Sequence, residues 1–461
     1  MSISPAPASD SPAQTTPPAT NFRWVICTLL LFSTTINYMD RQVISYLKEF
    51  FCTPTAQGGF GWSNTDYANV TSYFVLCYAV MTIFAGIIID KIGTKLGLAF
   101  SLIAWSAFSI LNAFVGRTAL VHVFVRSLFG IGEAGNFPAS IKTVAEWFPK
   151  RERALATGIF NSGSNLGAMV SALFVPWCMI HFGDQEGWKM AYILTGTAGF
   201  LWLIFWFWLY ASPSQHKRIS KSEYDYIHVD DDATNHTTAA SGTTVSWFKL
   251  LSYRQTWAFV FGKFMTDGVW WFYLFWLPDY LRKQFAMDKH QVMLPTFIVY
   301  GVAIIGSIYG GSIPMTFIKK GMPVYKARMT AMLIIAIFPL TVLSTQYFGN
   351  VERFGSMAAG LAVAAICIGC AAHQAWSANL FTTVSDMFPK KAVGSVTGIG
   401  AAAGGLGGYI VQKLAGGLTD AFAKTPQTAY LLMFIICALS YMIAWGLMKA
   451  FVPQHRPITD L

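Results

Sequence analysis

Apolar residues run along this chain in long blocks, and polar residues gather in the gaps between them. From Phe22 onward about twelve blocks reach or exceed the roughly 20 residues a helix needs to cross a hydrocarbon core. They fall near 24–47, 67–89, 96–116, 118–144, 153–181, 188–210, 255–281, 291–317, 327–348, 354–385, 392–420 and 427–450. A membrane barrel would show alternating segments of about ten residues, half the length of these runs. Several blocks exceed the minimum, so they tilt or project into water. Residues 212–249 form one long polar interruption, acidic in its middle, with six blocks on either side. The pattern predicts an all-α membrane protein of twelve transmembrane helices in two six-helix bundles. The expected divisions are a disordered N-terminal tail over 1–20, a bundle over 21–211, a cytoplasmic linker over 212–249, a second bundle over 250–451 and a cytoplasmic tail over 452–461. The first 20 residues carry no basic residue and no apolar core, so they do not read as a secretory signal.

Composition sharpens this. Only 12% of the 461 residues are charged and 54% are hydrophobic, whereas a soluble chain carries about 25% charged residues. There is too little charge to coat soluble domains, which excludes an ordinary cytosolic enzyme and a disordered chain. The net charge of +10 sits in short clusters between apolar runs, without the basic face or motif of a nucleic-acid binder. Those clusters are topological. Arg23, Lys91 and Lys95, Lys150 to Arg153, Lys217 to Lys221, Lys319 to Arg328, Lys390 and Lys391, and Arg456 fall on one side of a twelve-span thread. The opposite loops hold a thinner set that includes Lys48, Arg282, Lys283 and Lys289, so both termini are expected in the cytoplasm. The glycosylation sequon at Asn235 then lies on the wrong side to be used. Cys367 and Cys370 have the spacing of a metal or redox pair, but they lie in an apolar run with no second pair and read as small buried hydrophobes. No metal and no cofactor are expected.

The two halves repeat. Trp147-Phe148-Pro149-Lys150-Arg151 is echoed by Met387-Phe388-Pro389-Lys390-Lys391, and the same offset aligns Thr157-Gly158-Ile159 with Thr397-Gly398-Ile399 and Gly167 with Gly407. Corresponding loops on one side imply a parallel repeat about an axis normal to the membrane. That is the architecture of the major facilitator transporters, with substrate bound near the midplane between halves.

Particular residues carry a resemblance to that superfamily. Gly86-Ile-Ile-Ile-Asp90-Lys91-Ile-Gly93-Thr94-Lys95 resembles its G-x-x-x-D-[RK]-x-G-[RK]-[RK] loop, with Thr94 departing at one basic position. Gly86 and Gly93 would let the backbone turn, and Asp90 would latch a neighbouring helix end or basic group. Asn37 to Gln42, Arg126 with Gly130 to Pro138, Glu146 to Asn165, and Trp270 to Pro278 with His373 to Asn379 look like the anion:cation symporter family. Bacterial hexuronate transporters look most similar, over roughly residues 23–450. The resemblance implies proton-coupled symport, by alternating access, of an organic monoanion such as glucuronate or galacturonate into a bacterium, across the inner membrane. Protons would be the coupling ion, and the protein a monomer in the bilayer. Glucarate and galactonate carriers share much of the pattern, although galactonate carriers have a Gln where this chain has Ser164. Exchange of an organic phosphate would call for matched cations in both halves, and the repeat position of Arg126 is Ile366. No H-E-x-x-H, Walker loop or nucleophile elbow marks an enzyme.

Ionisable residues deep in a span must face a polar cavity or each other, since lipid exposure costs about 2.5–3.5 kcal/mol each. Arg126 and Glu133 are seven residues apart, within about 20° on one helix face. They read as a substrate-carboxylate anchor with a proton carrier, or as an ion pair that holds the span. Asp40 and Arg41 point about 100° apart and need different partners. The resemblance gives Asp40 to proton coupling and Arg41 to substrate, the alternative being an external gate. It also gives Tyr78 a substrate contact. Asn161 and Asn165, one turn apart, are candidates for sugar hydroxyls or helix–helix bonding. His373, Gln374, Trp376, Ser377 and Asn379 are the densest polar set in the second half. Among them His373 suits an anion or a proton, or equally a satisfied structural place, and Trp376 suits a sugar ring face. Lys263 and Asp267, four apart, are expected to neutralise one another, the alternative being a substrate role.

Overall fold

The computed structural model describes residues 20–229 and 247–458. The tail expected over 1–20, except Thr20, the acidic middle of the linker with Asn235, and residues 459–461 lie outside the described residues, as do the side chains of Lys150, Ala154, Lys390 and Lys391. The first half contains α1 Phe22–Cys52, α2 Asn64–Ile92, α3 Thr94–Asn112, α4 Ala119–Glu133, α5 Asn136–Trp147, α6 Lys150–His181 and α7 Gly183–Leu209. Two short helices follow, α8 Lys221–Ile227 and α9 Trp247–Leu251. The second half contains α10 Arg254–Phe285, α11 Met293–Lys319, α12 Val324–Ile337, α13 Thr345–Phe348, α14 Val351–Phe354, α15 Ala358–Met387, α16 Lys390–Ala421 and α17 Pro426–Phe451. Taking α4 with α5, α12 with α13, and α14 with α15, the described residues make twelve helical passes that match the twelve apolar blocks.

Among the described residues, eight stretches are long and apolar enough to cross a membrane on length and composition. α1, α4 with α5, α10 and α16 fall short. The first three carry Asp40 and Arg41, Arg126 and Glu133, and Lys263 and Asp267, and α16 is rich in glycine. Three of these four, α1, α10 and α16, lie where the halves meet. α2 packs along α16, α6 along α11, and α1 against α10, which joins the halves. Polarity is tolerated there because these helices face protein.

Two blocks are less regular than their apolar pattern predicts. The fourth pauses between α4 and α5, where the Ser101 hydroxyl of α3 donates to the Gly132 carbonyl and takes it from the helical ladder. Gly135 permits this approach, since a Cβ there would stand 2.6 Å from Ser101 Oγ. The ninth turns through a tighter helical stretch, Phe338–Ser344, at Pro339, which has no N–H to give. The repeat holds in detail. α6 and α16 are both 32 residues long, and their caps Pro149 (φ −63°, ψ 154°) and Pro389 (φ −64°, ψ 149°) have the same backbone conformation. Of the loop glycines, Gly93 turns the chain at φ +85°, but Gly86 lies within regular α2 and turns nothing. Asp90 latches onto α5, its carboxylate accepting from Lys142 Nζ at 2.8 Å, while Lys91 is exposed. Cys367 and Cys370 are buried free thiols.

The first part of the expected linker is folded onto the first half. Ser220 caps α8. The fully buried Glu223 carboxylate accepts from the backbone N–H groups of Phe22 and Arg23, both at 3.0 Å, and so caps α1 from a distant part of the chain. Arg23 reaches on to Glu152 of α6 at 2.8 Å. A carboxylate at a helix N-terminus meets both unpaired N–H groups and the positive end of the helix dipole.

Candidate functional site

Asp40 and Arg41 turn to opposite neighbours, as adjacent residues on a helix must. Asp40 enters the first bundle, where its Oδ1 accepts from Ser109 Oγ of α3 at 2.6 Å and its Oδ2 has no hydrogen-bond partner. Arg41 turns toward α4 and the other half. Its Nε donates to Glu133 Oε1 at 2.9 Å, and its guanidinium carbon lies 4.2 Å from the ring centre of Tyr38, 4.9 Å from Tyr78 and 4.9 Å from Trp271 of α10. Arg41 is 2% exposed and Glu133 1%. A desolvated guanidinium among aromatic faces gains cation–π attraction, and planar carboxylates suit its remaining donors. Glu133 Oε2 is buried without a partner.

This corrects the expected pairing. Arg126 and Glu133 share a helix face, but the ion pair of Glu133 is with Arg41. Fully buried Arg126 instead donates to the main-chain carbonyls of Asp40 at 3.3 Å and Arg41 at 3.0 Å, with the Phe129 ring 4.4 Å away. It braces α1 against α4, and its Nε is buried without a hydrogen-bond partner. On the same helix Gly130 lets α4 pack closely on α2, where a Cβ would stand 2.7 Å from the Phe74 carbonyl oxygen.

In the second half, His373 Nδ1 lies 2.8 Å from the Tyr441 hydroxyl of α17. Its ring stacks on Trp270 of α10, with centroids 5.0 Å apart and planes 3° apart. Gln374 Nε2 donates across the halves to Asn165 Oδ1 at 3.3 Å, and Asn161 is exposed, so the two asparagines do not act as one pair. Trp376 is fully buried, edge-on to Tyr441. It packs the interior. Asn379 Nδ2 donates to the carbonyls of Gly310 and Ala375, both at 2.9 Å, which bonds α15 to α11. Ser377 is half-buried. Lys263 and Asp267 form the expected pair at 2.6 Å.

A further network lies where α1 and α10 end, away from both termini. Lys48 Nζ meets Asp279 Oδ2 at 2.8 Å and Asn64 Oδ1 at 2.7 Å, and Lys283 meets Asp279 at 3.0 Å. Tyr430 also donates to Asp279. The backbone N–H of Asn64 donates to Asp420 at 3.0 Å, and ion pairs Glu49–Arg282 and Asp184–Lys289 flank the group. These bonds tie the halves together at one end. In the sequence, Lys48, Arg282, Lys283 and Lys289 read only as loop charges. The places of Lys48, Arg282 and Lys283 at matching ends of the first helix of each half, with Lys289 just beyond, are the signal that marks an interlock.

The Major Facilitator Superfamily model matches residues 30–411. The Hexuronate transporter of Escherichia coli strain K12 is 27% identical over 445 residues, covering 95% of this chain and 96% of that protein. The Galacturonate transporter of Dickeya chrysanthemi is 29% identical over 297 residues, 64% of this chain and 83% of that protein. Among solved structures, a bacterial homologue of the human lysosomal transporter Spinster superposes with a TM-score of 0.73 at 15% identity, covering 96% of this chain and 100% of that one.

Proposed function

This chain belongs to the Major Facilitator Superfamily, a multi-pass membrane transporter and not an enzyme, and we propose that it is a proton-coupled symporter that imports a hexuronate such as glucuronate or galacturonate. The buried Arg41–Glu133 pair carries the reading. Trp271 from the other half closes on Arg41, so the pair lies where the halves meet and where the repeat architecture puts substrate. A substrate carboxylate that binds Arg41 competes with Glu133 for the same guanidinium. Glu133, losing its partner in a dry site, then takes a proton on its oxygens, so anion and proton favour each other's binding. The one-face spacing in the sequence points to Arg126 as that anchor; Arg41 takes its place because Arg126 is held by carbonyls of α1.

Asp40 is the second proton site. One proton per monoanion makes transport electroneutral, and a second adds about 2.3 kcal/mol per charge per 100 mV. Tyr78 flanks the carboxylate, and Asn165, Gln374 and His373 meet the hydroxyl-bearing tail. The protein sits in a bacterial inner membrane with both termini cytoplasmic, and the interlocked end is then periplasmic, which supports an inward-facing conformation. The similarity to hexuronate and galacturonate transporters supports the substrate class. Uptake of labelled glucuronate into proteoliposomes with an alkaline interior tests the reading. Accumulation should collapse with a protonophore and with Arg41→Ala, whereas Glu133→Gln should keep exchange of substrate but lose uphill accumulation. Glucuronate and galacturonate both inert in the unaltered protein would overturn the substrate.

A further inference from the structure

His373 stands 240 residues after Glu133, the spacing that separates Pro149 from Pro389. It therefore occupies the repeat-equivalent place in the second half. In the first half Glu133 is held by Arg41 of α1. In the second, the first helix supplies Trp270, stacked flat on the imidazole, and α17 supplies Tyr441. The place is conserved by the repeat and its charge is not.

The ring's orientation is specified from two sides. Trp270 fixes its plane and Tyr441 engages Nδ1, whereas Nε2 makes no hydrogen bond among the described residues. Tyr441 has no other hydrogen-bond acceptor among the described residues, so its O–H is spent on Nδ1. A neutral imidazole that accepts at Nδ1 must carry its proton on Nε2. The site borders the other half. The Trp270 ring neighbours Tyr300, whose hydroxyl lies 3.5 Å from Gln42 Nε2 of α1, and the next residue, Gln374, bonds to Asn165.

We infer that Tyr441 is a positioning residue that holds His373 as the Nε2–H tautomer, and that this N–H donates to a hydroxyl of the bound sugar acid opposite Arg41. The inference rests on the proposed function and adds a division of labour to it. The first half reads the carboxylate with a cation, and the second reads the neutral, hydroxylated end with a neutral donor. Lys263, a cation in the middle of α10, is engaged by Asp267 and leaves that task to the imidazole.

The test is KM and Vmax for labelled glucuronate in proteoliposomes for His373→Phe, His373→Gln, Tyr441→Phe and the double variant His373→Gln/Tyr441→Phe. His373→Phe should raise KM about tenfold or more with Vmax within about twofold, since a donor to a substrate hydroxyl is lost. His373→Gln, whose amide N–H reaches the Nε2 position, should recover most of that loss. Tyr441→Phe should raise KM about threefold to tenfold alone and have no further effect beside His373→Gln, because it acts through the imidazole. An unchanged KM in His373→Phe, or an equal Tyr441→Phe effect in both backgrounds, would overturn the inference while leaving symport intact. If His373→Phe does not fold, the Gln and Tyr441 cycle decides alone. A wild-type protein inert to glucuronate removes the functional reading and this inference with it.

Discussion

The two halves hold equivalent positions with different chemistry. At residue 133 a carboxylate is buried against a guanidinium, and at residue 373 an imidazole is buried between an indole and a phenol. Both are anchored by the first helix of their own half, so the duplicated backbone sets the place and side chains set the task. A buried ion pair depends on both members, because removing one strands the other's charge. A neutral, stacked pair degrades more gently. On the proposed reading, the asymmetry puts a charged wall before the carboxylate of a sugar acid and a neutral wall before its hydroxylated body.

The largest effect expected on this contrast is from Arg41→Ala. Leaving Glu133 buried without its partner should cost about 3–5 kcal/mol of stability, read as a lowered Tm in detergent. Adding Glu133→Gln should recover much of it. Tyr441→Phe in the same assay should cost about 1 kcal/mol, the worth of one neutral hydrogen bond. Equal losses on the two sides would erase the distinction between the walls.

Next in size is the interlock that joins the halves. Asp279→Asn removes the acceptor shared by Lys48, Lys283 and Tyr430. If it weakens the closed end by about 1.4 kcal/mol, the opposite conformation gains about tenfold in population. Spin-label distances between positions 55 and 352, one exposed residue on each half at that end, should broaden to longer values. An unshifted distribution would mean that helix packing, with α2 against α16, holds that end without the ions.

The effect with least bearing on that contrast belongs to the first half alone. Glu223→Ala uncaps α1 and frees α8, with an expected cost of about 1–3 kcal/mol for the buried N–H groups left unpaired. Proteolysis around Lys217 and Lys221 should quicken, and transport should change less than stability. Tyr226 of the same dock, outside the membrane, has its phenol pushed above the ordinary 10 by burial and by its hydrogen bond to Glu152. Its contribution is present at neutral pH and is lost as pH rises past 10 toward the raised value, so alkaline proteolysis should be quicker for the unaltered protein than for Tyr226→Phe.

Twelve passes, the division into halves and the repeat were legible in the sequence because each rests on local composition. A block of about 20 apolar residues can satisfy its backbone in lipid only as a helix, and a fixed offset between motifs needs no coordinates. The charged residues in the spans were legible for the same reason, as were pairs one turn apart such as Lys263 and Asp267. Partnership across helices was not. The seven-residue spacing of Arg126 and Glu133 puts them on one face, but a second helix, α1, supplied both a better partner for Glu133, in Arg41, and carbonyls for Arg126. The capping of α1 by Glu223, 200 residues away, the pause at Gly132 and the convergence of Lys48, Asp279 and Asp420 have no local signature either. Spacing along one helix determines which residues can share a face. Which atoms meet is decided when several helices compete for the same buried charge, and that competition exists only in the assembled bundle.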